Sequence, residues 1–515
     1  MRKWFVPLLV ALVSLLYYQS IDNPLIMDDI YIFQSMKSSL RQIVYLLFED
    51  SFINYGRFVS EFSFLFGWDY GIPANRVFNI TLHLLNSLLF FVFLRSIVKP
   101  RVAAFVALFF AVNPAAIHAV CYLVQRNQLF MLFFGLSQCI FFLHSLRSRW
   151  WLSPFLFIAS LICFQMAAIS KEHALALICI YPLMGIASRK IVRGIIYNGL
   201  IAGCVFFFSF NNLYAVQGLF SFLSAKAIHR STNSYNQLIS SQACLAIQNT
   251  DNIYFRSILT QCGLFFKYFL YWILPFPASI DMRVPFVESS SNVWNLVWFG
   301  LYVCGSWVIL FIKKVRWIGF GLLIAACLFT SEFTGTRAGE IFVMYRSYLF
   351  ALGYMIALAG VLDMLTLKRI GVVVILALSI ISYFQIKQFD SSKAAWVRAA
   401  KLVNMKDQKI YCQSARIFNN AGVDFLKEGN VIEAEKYFRQ AIVVNPYWSP
   451  PLSNLGLIYY FTGRFDQARQ AFEILAQDEH QSLREHAQNK LTEIKQQIEL
   501  GQRSTRYLAR PMYSN

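Results

Sequence analysis

The first 390 positions of this 515-residue chain carry one apolar run after another. The runs are roughly 18 to 22 residues long, enough for each to cross the hydrocarbon core of a bilayer as a helix. Between them stand short clusters of like charge: Arg2-Lys3, Arg95/Lys99/Arg101, Arg147/Arg149, Arg189/Lys190/Arg193, Lys313/Lys314/Arg316 and Lys368/Arg369. Alternation of this kind marks the cytoplasmic loops of a polytopic membrane protein. Only 14% of the residues are charged against 57% hydrophobic, where soluble domains carry about 25% charged. The net charge of +19 therefore implies no nucleic-acid partner. Much of it is loop charge, and the partner it implies is membrane lipid.

The positive-inside rule turns these clusters into a topology. The N-terminus is expected in the cytoplasm. No A-x-A-like cleavage site follows the first run, so that run is expected to stay as a membrane helix. Spans are expected at about 4–20, 77–95, 102–120, 123–145, 152–169, 173–188 and 194–212, then at 293–312, 316–332, 346–366 and 369–386. The run 254–275 is ambiguous. As a span it would put Lys313/Lys314/Arg316 and Lys368/Arg369 on the wrong side. It also carries Arg256, Gln261 and Lys267 at roughly helical spacing, so an amphipathic helix lying in the outer interface fits better. The total is then eleven spans, with outer loops at 21–75 and 213–292 and everything after 390 outside.

Beyond 390 the sequence turns polar and helix-forming. Aligned at a 34-residue period, Gly422 pairs with Gly456, Ala434 with Ala468 and Phe438 with Phe472. These are the small and aromatic positions that let the two helices of a tetratricopeptide repeat pack closely. Pro446 ends the first repeat. The second departs at its end, with Leu475 and His480. A linker is expected over 391–413, two repeats plus a capping helix over 414–500 and a tail over 501–515. Such repeats offer a concave surface to a protein or peptide, or serve as a packing module alone. The ten cysteines show no C-x-x-C or zinc spacing and read as buried hydrophobes. A disulfide between Cys244 and Cys412 stays open.

The residues that could carry chemistry gather at the outer ends of the expected helices. Asp28 and Asp29 follow the first run; they are either a loop corner or an acidic centre. "NPAAIHAV" holds Asn113 and His118, "VQRNQ" holds Gln125 and Arg126, and the short turn "SKEH" holds Lys171, Glu172 and His173. Glu340 and Arg346 flank "IFVMY", and Asp281 follows the interfacial segment. Charges in tight turns between spans are costly and are usually paired or functional. Cations on this side also run against the positive-inside trend. Arg126, Lys171 and Arg346 thus suit a lipid phosphate or pyrophosphate, although Lys171 could simply pair with Glu172. His83 and Asn86 share one face of a span, where a helix–helix hydrogen bond competes with a supporting catalytic role.

Together these groups suggest a reaction. A carboxylate can deprotonate an acceptor hydroxyl, and a cationic clamp can stabilise a departing lipid phosphate. A repeat domain on the same side can present the acceptor. That combination fits transfer of a sugar from a polyprenyl-phosphate carrier to a protein.

The ordered motifs "MDD", "RVFNITLHLLNSLLFFVFLR", "NPAAIHAVCYLVQRNQ", "SKEHALAL", "LTQCGLFFKYFLYWILPFPASID", "YRSYL" and the terminal repeats extend over nearly the whole chain. With them the chain resembles the integral-membrane GT-C glycosyltransferases. More closely, it is similar to the transmembrane and tetratricopeptide-repeat proteins that include eukaryotic O-mannosyltransferases, and to their bacterial relatives. The resemblance implies a dolichyl- or undecaprenyl-phosphate sugar donor, and inverting transfer without a covalent intermediate. It implies an acidic base or metal-linked group at Asp28 or Asp29, which leaves a divalent cation such as Mg or Mn open. It maps Arg126, Lys171, Glu172 and Arg346 onto family positions. Asn113, Met344 and Arg283 stand where relatives often carry a histidine, a glutamate and a second acid. The expected setting is a bacterial inner membrane with the site and the repeats facing the periplasm. Transfer of a whole oligosaccharide to pilin, modification of a glycolipid, and a non-enzymatic scaffold for envelope assembly are the competing readings.

Overall fold

Every regular element is helical among the residues described by the computed structural model, which are 2–27, 29, 58–68, 70–211, 253–279, 282, 291–335, 337, 341–365, 370–404, 414–446, 448–478 and 481–499. The only β-type pairing among them is a single bridge between Met282 and Phe342. The helices of the apolar body are α1 (Arg2–Tyr17), α2 (Phe58–Trp68), α3 (Gly71–Leu94), α4 (Pro100–Ala111), α5 (Ile117–Val120), α6 (Arg126–Arg147), α7 (Ser153–Ala168), α8 (Ile180–Ala187), α9 (Ile191–Asn211), α10 (Ile253–Ile273), α11 (Trp294–Phe311), α12 (Arg316–Phe329), α13 (Ser347–Met364) and α14 (Ile370–Ile386). The C-terminal region holds α15 (Ser392–Lys401), α16 (Ala415–Lys427), α17 (Val431–Val444), α18 (Ser449–Phe461), α19 (Phe465–Leu475) and α20 (Gln481–Glu499).

Among the described residues, six helical segments are long and apolar enough to cross a membrane: Gly71–Leu94, Leu123–Arg147, Trp294–Phe311, Arg316–Phe333, Met344–Met364 and Ile370–Phe389. Five further apolar helices are shorter, Trp4–Ser20, Pro100–Ala111, Ser153–Ala168, Glu172–Ala187 and Ile191–Ile201. Two expected spans depart from a plain α-helix. The run 102–120 breaks after Ala111, because Pro114 cannot donate to the helix and restricts the residue before it. Asn113 stabilises the break: its side-chain oxygen accepts from Ala115 N at 3.0 Å. The run from 172 begins as a 3-10 helix, Glu172–Cys179, before becoming α8.

The basic turns meet at one end of the body. Arg147 donates to Ser96 O at 3.0 Å, and Arg193 donates to Ser148 O at 2.7 Å. Lys99 donates to Asp363 O at 2.9 Å, while Arg316 lies within electrostatic range of Arg147 and Arg189. The opposite end collects Asp29, Arg126, Lys171 and Arg346.

Helix α10 lies across that second end. Along its length Tyr254 donates to Phe333 O, Gln261 to Ile341 O, Tyr268 to Val343 O and Trp272 to Ser347 Oγ. Phe333 and Ser347 mark the same end of two neighbouring helices. A helix of 21 residues is about 31 Å long, so one running through the body would not touch the same end with both of its termini.

Helices α12 and α13 approach closely. A Cβ at Gly321 would lie 2.7 Å from Gly353 O, and one at Gly353 would lie 2.7 Å from Ala325 Cα. Gly321/Ala325 and Gly353/Ala357 are small residues four apart on each helix, and they let the two backbones touch.

Two of the C-terminal helices are capped by side chains. Ser391 accepts from Ala394 N at 3.0 Å to start α15, and Asn430 accepts from Glu433 N at 3.2 Å to start α17. Gly422 lies against Phe438, where a Cβ would come within 2.7 Å of the ring, and Gly456 lies likewise against Phe472 at 3.1 Å. The same contact thus recurs 34 residues on, between α16 and α17 and between α18 and α19.

Candidate active site

Two polar clusters build the end opposite the basic turns. The first surrounds the turn at 121–126. Asp29 is 1% exposed. One of its carboxylate oxygens accepts from Val124 N at 2.8 Å and the other from Ile26 N at 3.4 Å. Burial pushes its carboxyl up to about 7, against the opposing pull of the Val124 N–H and the Arg76 charge. Arg76, near the start of α3, donates to Asn23 O at 2.9 Å and to Cys121 O at 2.8 Å, and also to Pro24 O. It therefore straps the segment 23–29 to the turn.

Arg126 departs from the expectation that it clamps a donor phosphate. It is 0% exposed. Its guanidinium donates to Asn79 Oδ1 at 2.7 Å, to Ser63 Oγ at 3.2 Å, and to both the backbone and side-chain oxygens of Asn75 at 2.9 Å. The ring of Phe64 covers it at 3.8 Å and that of Phe78 at 4.7 Å. A cation so enclosed holds α2 and α3 against α6. Gln125 is buried beside it, and its side-chain oxygen has no hydrogen-bond partner among the described residues.

The second cluster centres on Glu332, a carboxylate that is fully buried. Arg337 Nε and Arg346 Nη1 each lie 3.3 Å from its Oε2. Burying a carboxylate is costly unless it is paired, and here two arginines supply the pairing. Their side chains are 22% and 11% exposed. Arg337 also donates to His173 Nε2 at 3.3 Å, and His173 Nδ1 lies 3.3 Å from Glu172. Lys171 is within electrostatic range of Glu172, His173 and Glu332. Among the described residues, Arg337, Arg346 and Lys171 thus gather around Glu332 and Glu172.

The turn at 121–126 connects the clusters. Val124 holds Asp29, and Tyr122 meets Tyr345, the neighbour of Arg346, with ring centroids 6.1 Å apart.

Two of the expected supporting residues have structural surroundings. His83 is fully buried. It lies 3.0 Å from Ala111 O, the last carbonyl before the break in α4, and 2.8 Å from Tyr348 Oη. A carbonyl accepts only, so Nε2 donates to it and Nδ1 accepts from the tyrosine. The histidine ties α3, α4 and α13 together. His118 is also buried, edge-on to Phe389 at 5.6 Å. Neither of its ring nitrogens has a hydrogen-bond partner among the described residues.

Asp28, Asp281 and Glu340 lie outside the described residues, as do Cys244, Cys412 and His480. Among the described residues no group of three or more His, Cys, Asp or Glu is placed to hold a metal. Both oxygens of Asp29 already accept backbone N–H groups.

Sequence reasoning passed over Arg76, Glu332 and Arg337. Glu332 left a signal, as the lone acid in the run 291–339. Arg76 left little, because the backbone carbonyls it holds are distant in the chain. In comparisons with protein-family models, curated proteins and solved structures, nothing matched this chain.

Proposed function

We propose that this chain is a GT-C-type glycosyltransferase that moves a sugar from a polyprenyl-phosphate donor to a hydroxyl of a protein acceptor. The observation that carries the reading is the gathering of an acidic loop and an arginine-rich anion cradle at one end of an apolar helical body, away from its basic turns. In this reading the body has eleven spans, the basic turns are cytoplasmic, and α10 rests in the outer interface of a bacterial inner membrane. The helices of 414–500 are tetratricopeptide repeats that recruit the acceptor or an assembly partner.

The chemistry divides between the two clusters. A carboxylate takes the proton of the acceptor hydroxyl as its oxygen attacks the anomeric carbon. The bond from that carbon to the phosphate oxygen breaks, and the lipid phosphate leaves with the electron pair. Arg337, Arg346 and Lys171 stabilise the charge that develops there. Glu332 holds both guanidiniums in place beforehand. Asp29 spends its oxygens on Ile26 and Val124, which favours a loop-holding role for it and leaves Asp28 as the base.

The test is mass spectrometry of envelope proteins from a deletion strain complemented with wild type, Asp28→Asn, Asp29→Asn or the double variant. Loss of a hexose-sized mass with Asp28→Asn is expected. Unchanged glycosylation in the double variant would sink the reading. A scaffold would tolerate these changes and fail on removal of 414–500.

A further inference from the structure

Met27 stands immediately before the acidic pair. Among the described residues it is the one hydrophobic side chain that packs both on the core of the apolar body and on the core that joins α15, α16 and α17. Its backbone is left-handed, with φ 50°, a region that disfavours a long side chain. Such a conformation persists only where its surroundings over-determine it.

Those surroundings come from two directions. On the body side, Arg76 holds Asn23 O and Pro24 O, while Asp29 ties Ile26 N and Val124 N. On the other side α15 acts as a plate between two layers. Ala395 belongs to the body's core, whereas Trp396, Ala399 and Val403 join Ile417, Phe418 and Val444 in the C-terminal core. Arg398 pins the plate by donating to Ala278 O at 2.9 Å. An unbranched thioether side chain suits an irregular seam of this kind.

We propose that Met27 is a positioning residue through which the C-terminal helices hold the turn of Ile26 and Asp29 in its working geometry, so that this turn is held only while α15 to α17 are docked on it. This rests on the transferase reading. It adds that a polypeptide bound to the C-terminal helices acts on turnover, through α15 and Met27, and leaves donor binding unchanged.

The test uses the full-length protein in lipid nanodiscs and reads two quantities. Hydrogen exchange at the amides of Ile26 and Asp29 reports the loop directly, whatever the protein's activity. Transfer from a polyprenyl-phosphate hexose reports function. Met27→Ala is expected to speed exchange at both amides about ten-fold, and to lower kcat about ten-fold with donor KM unchanged. Met27→Leu restores both. Trp396→Ala, made from the far side of the seam, reproduces the faster exchange. Met27→Gly suits the left-handed backbone and guards against a variant that fails to fold; it too is expected to exchange faster, because the side-chain link is gone. The proposal is overturned by wild-type exchange in Met27→Gly, or by unchanged exchange in both Met27→Ala and Trp396→Ala. Faster exchange in a protein whose wild type transfers no sugar leaves the positioning role standing and removes the transferase reading.

Discussion

Arg126 and Arg346 stand at the same end of the helical body, each at the start of a helix, and they spend their guanidiniums in opposite ways. Arg126 is sealed under two phenylalanine rings and donates to Asn75, Asn79 and Ser63. Arg346 shares the buried carboxylate of Glu332 with Arg337 and keeps an edge toward solvent. The first arrangement is neutral oxygen around a cation and serves to lock helices. The second is charge around charge, and under the proposed reading it receives the donor phosphate. Position along the sequence does not separate these roles. Burial and the identity of the partners do.

Four substitutions and one titration can break or sharpen this contrast. The largest effect is expected at Arg126. Arg126→Met removes a charged donor from the buried side-chain oxygens of Asn75 and Asn79, at about 1–3 kcal/mol each. A loss of about 3–5 kcal/mol in denaturant or thermal unfolding is expected, with donor KM unchanged in the fraction that folds. A raised KM at normal stability would return Arg126 to the donor site.

Arg346→Ala is the mirror case. Removing one preorganised donor to a leaving phosphate is expected to lower kcat about 100-fold, close to 2.7 kcal/mol, with Glu332 still paired to Arg337. Wild-type turnover in this variant would make the second cluster as structural as the first.

Gly422→Ala tests the C-terminal helices. Its new Cβ would press on the ring of Phe438, and a loss of about 1 kcal/mol is expected in thermal unfolding.

The titration concerns Asp29, whose carboxyl sits at about 7 in the fold because it is buried. In the unfolded chain it titrates near its ordinary value of about 3.9. Folding therefore takes up a proton between those values, and this group's contribution to stability falls as pH rises from about 4 to about 7. The bonds from Ile26 and Val124, by contrast, are strongest to the ionised carboxylate. Activity is expected to rise through about pH 7, and Asp29→Asn should erase that inflection. An inflection that survives in Asp29→Asn belongs to another group.

The smallest effect is expected at the basic end. Lys99 and Asp363 are paired at 4.0 Å with side chains 71% and 30% exposed. Lys99→Ala should cost less than about 1 kcal/mol. A larger loss would show that the basic turns do more than mark a side.

Much of the helix pattern was legible from apolar run length. The expected spans at 123–145, 293–312 and 316–332 coincide with α6, α11 and α12 to within a few residues, while α3 begins six residues before the expected 77. The break after Ala111 was written in Asn113-Pro114 but was masked by the apolar residues on both sides. The candidate site was legible as a set of polar residues near helix ends, and illegible as a set of roles. "VQR" and "YRSYL" look alike in sequence. What distinguishes Arg126 from Arg346 is a pair of asparagines on α3 in one case and a glutamate in the 3-10 turn after α12 in the other.

By itself, then, the sequence determined the all-helical character, the succession of apolar helices, the basic marking of alternate turns and the recurring glycine–phenylalanine contact of the C-terminal helices. Those follow from local composition and short periods, which act within a few turns of chain. Only the tertiary structure decided which cation is sealed and which is reachable. It also decided that Glu332 sits between Arg337 and Arg346, and that Met27 bridges two cores. The sealing of Arg126 depends on partners dozens of positions away, and the Glu332 cluster on how a turn folds back over 14 residues; no local pattern encodes which partner will arrive.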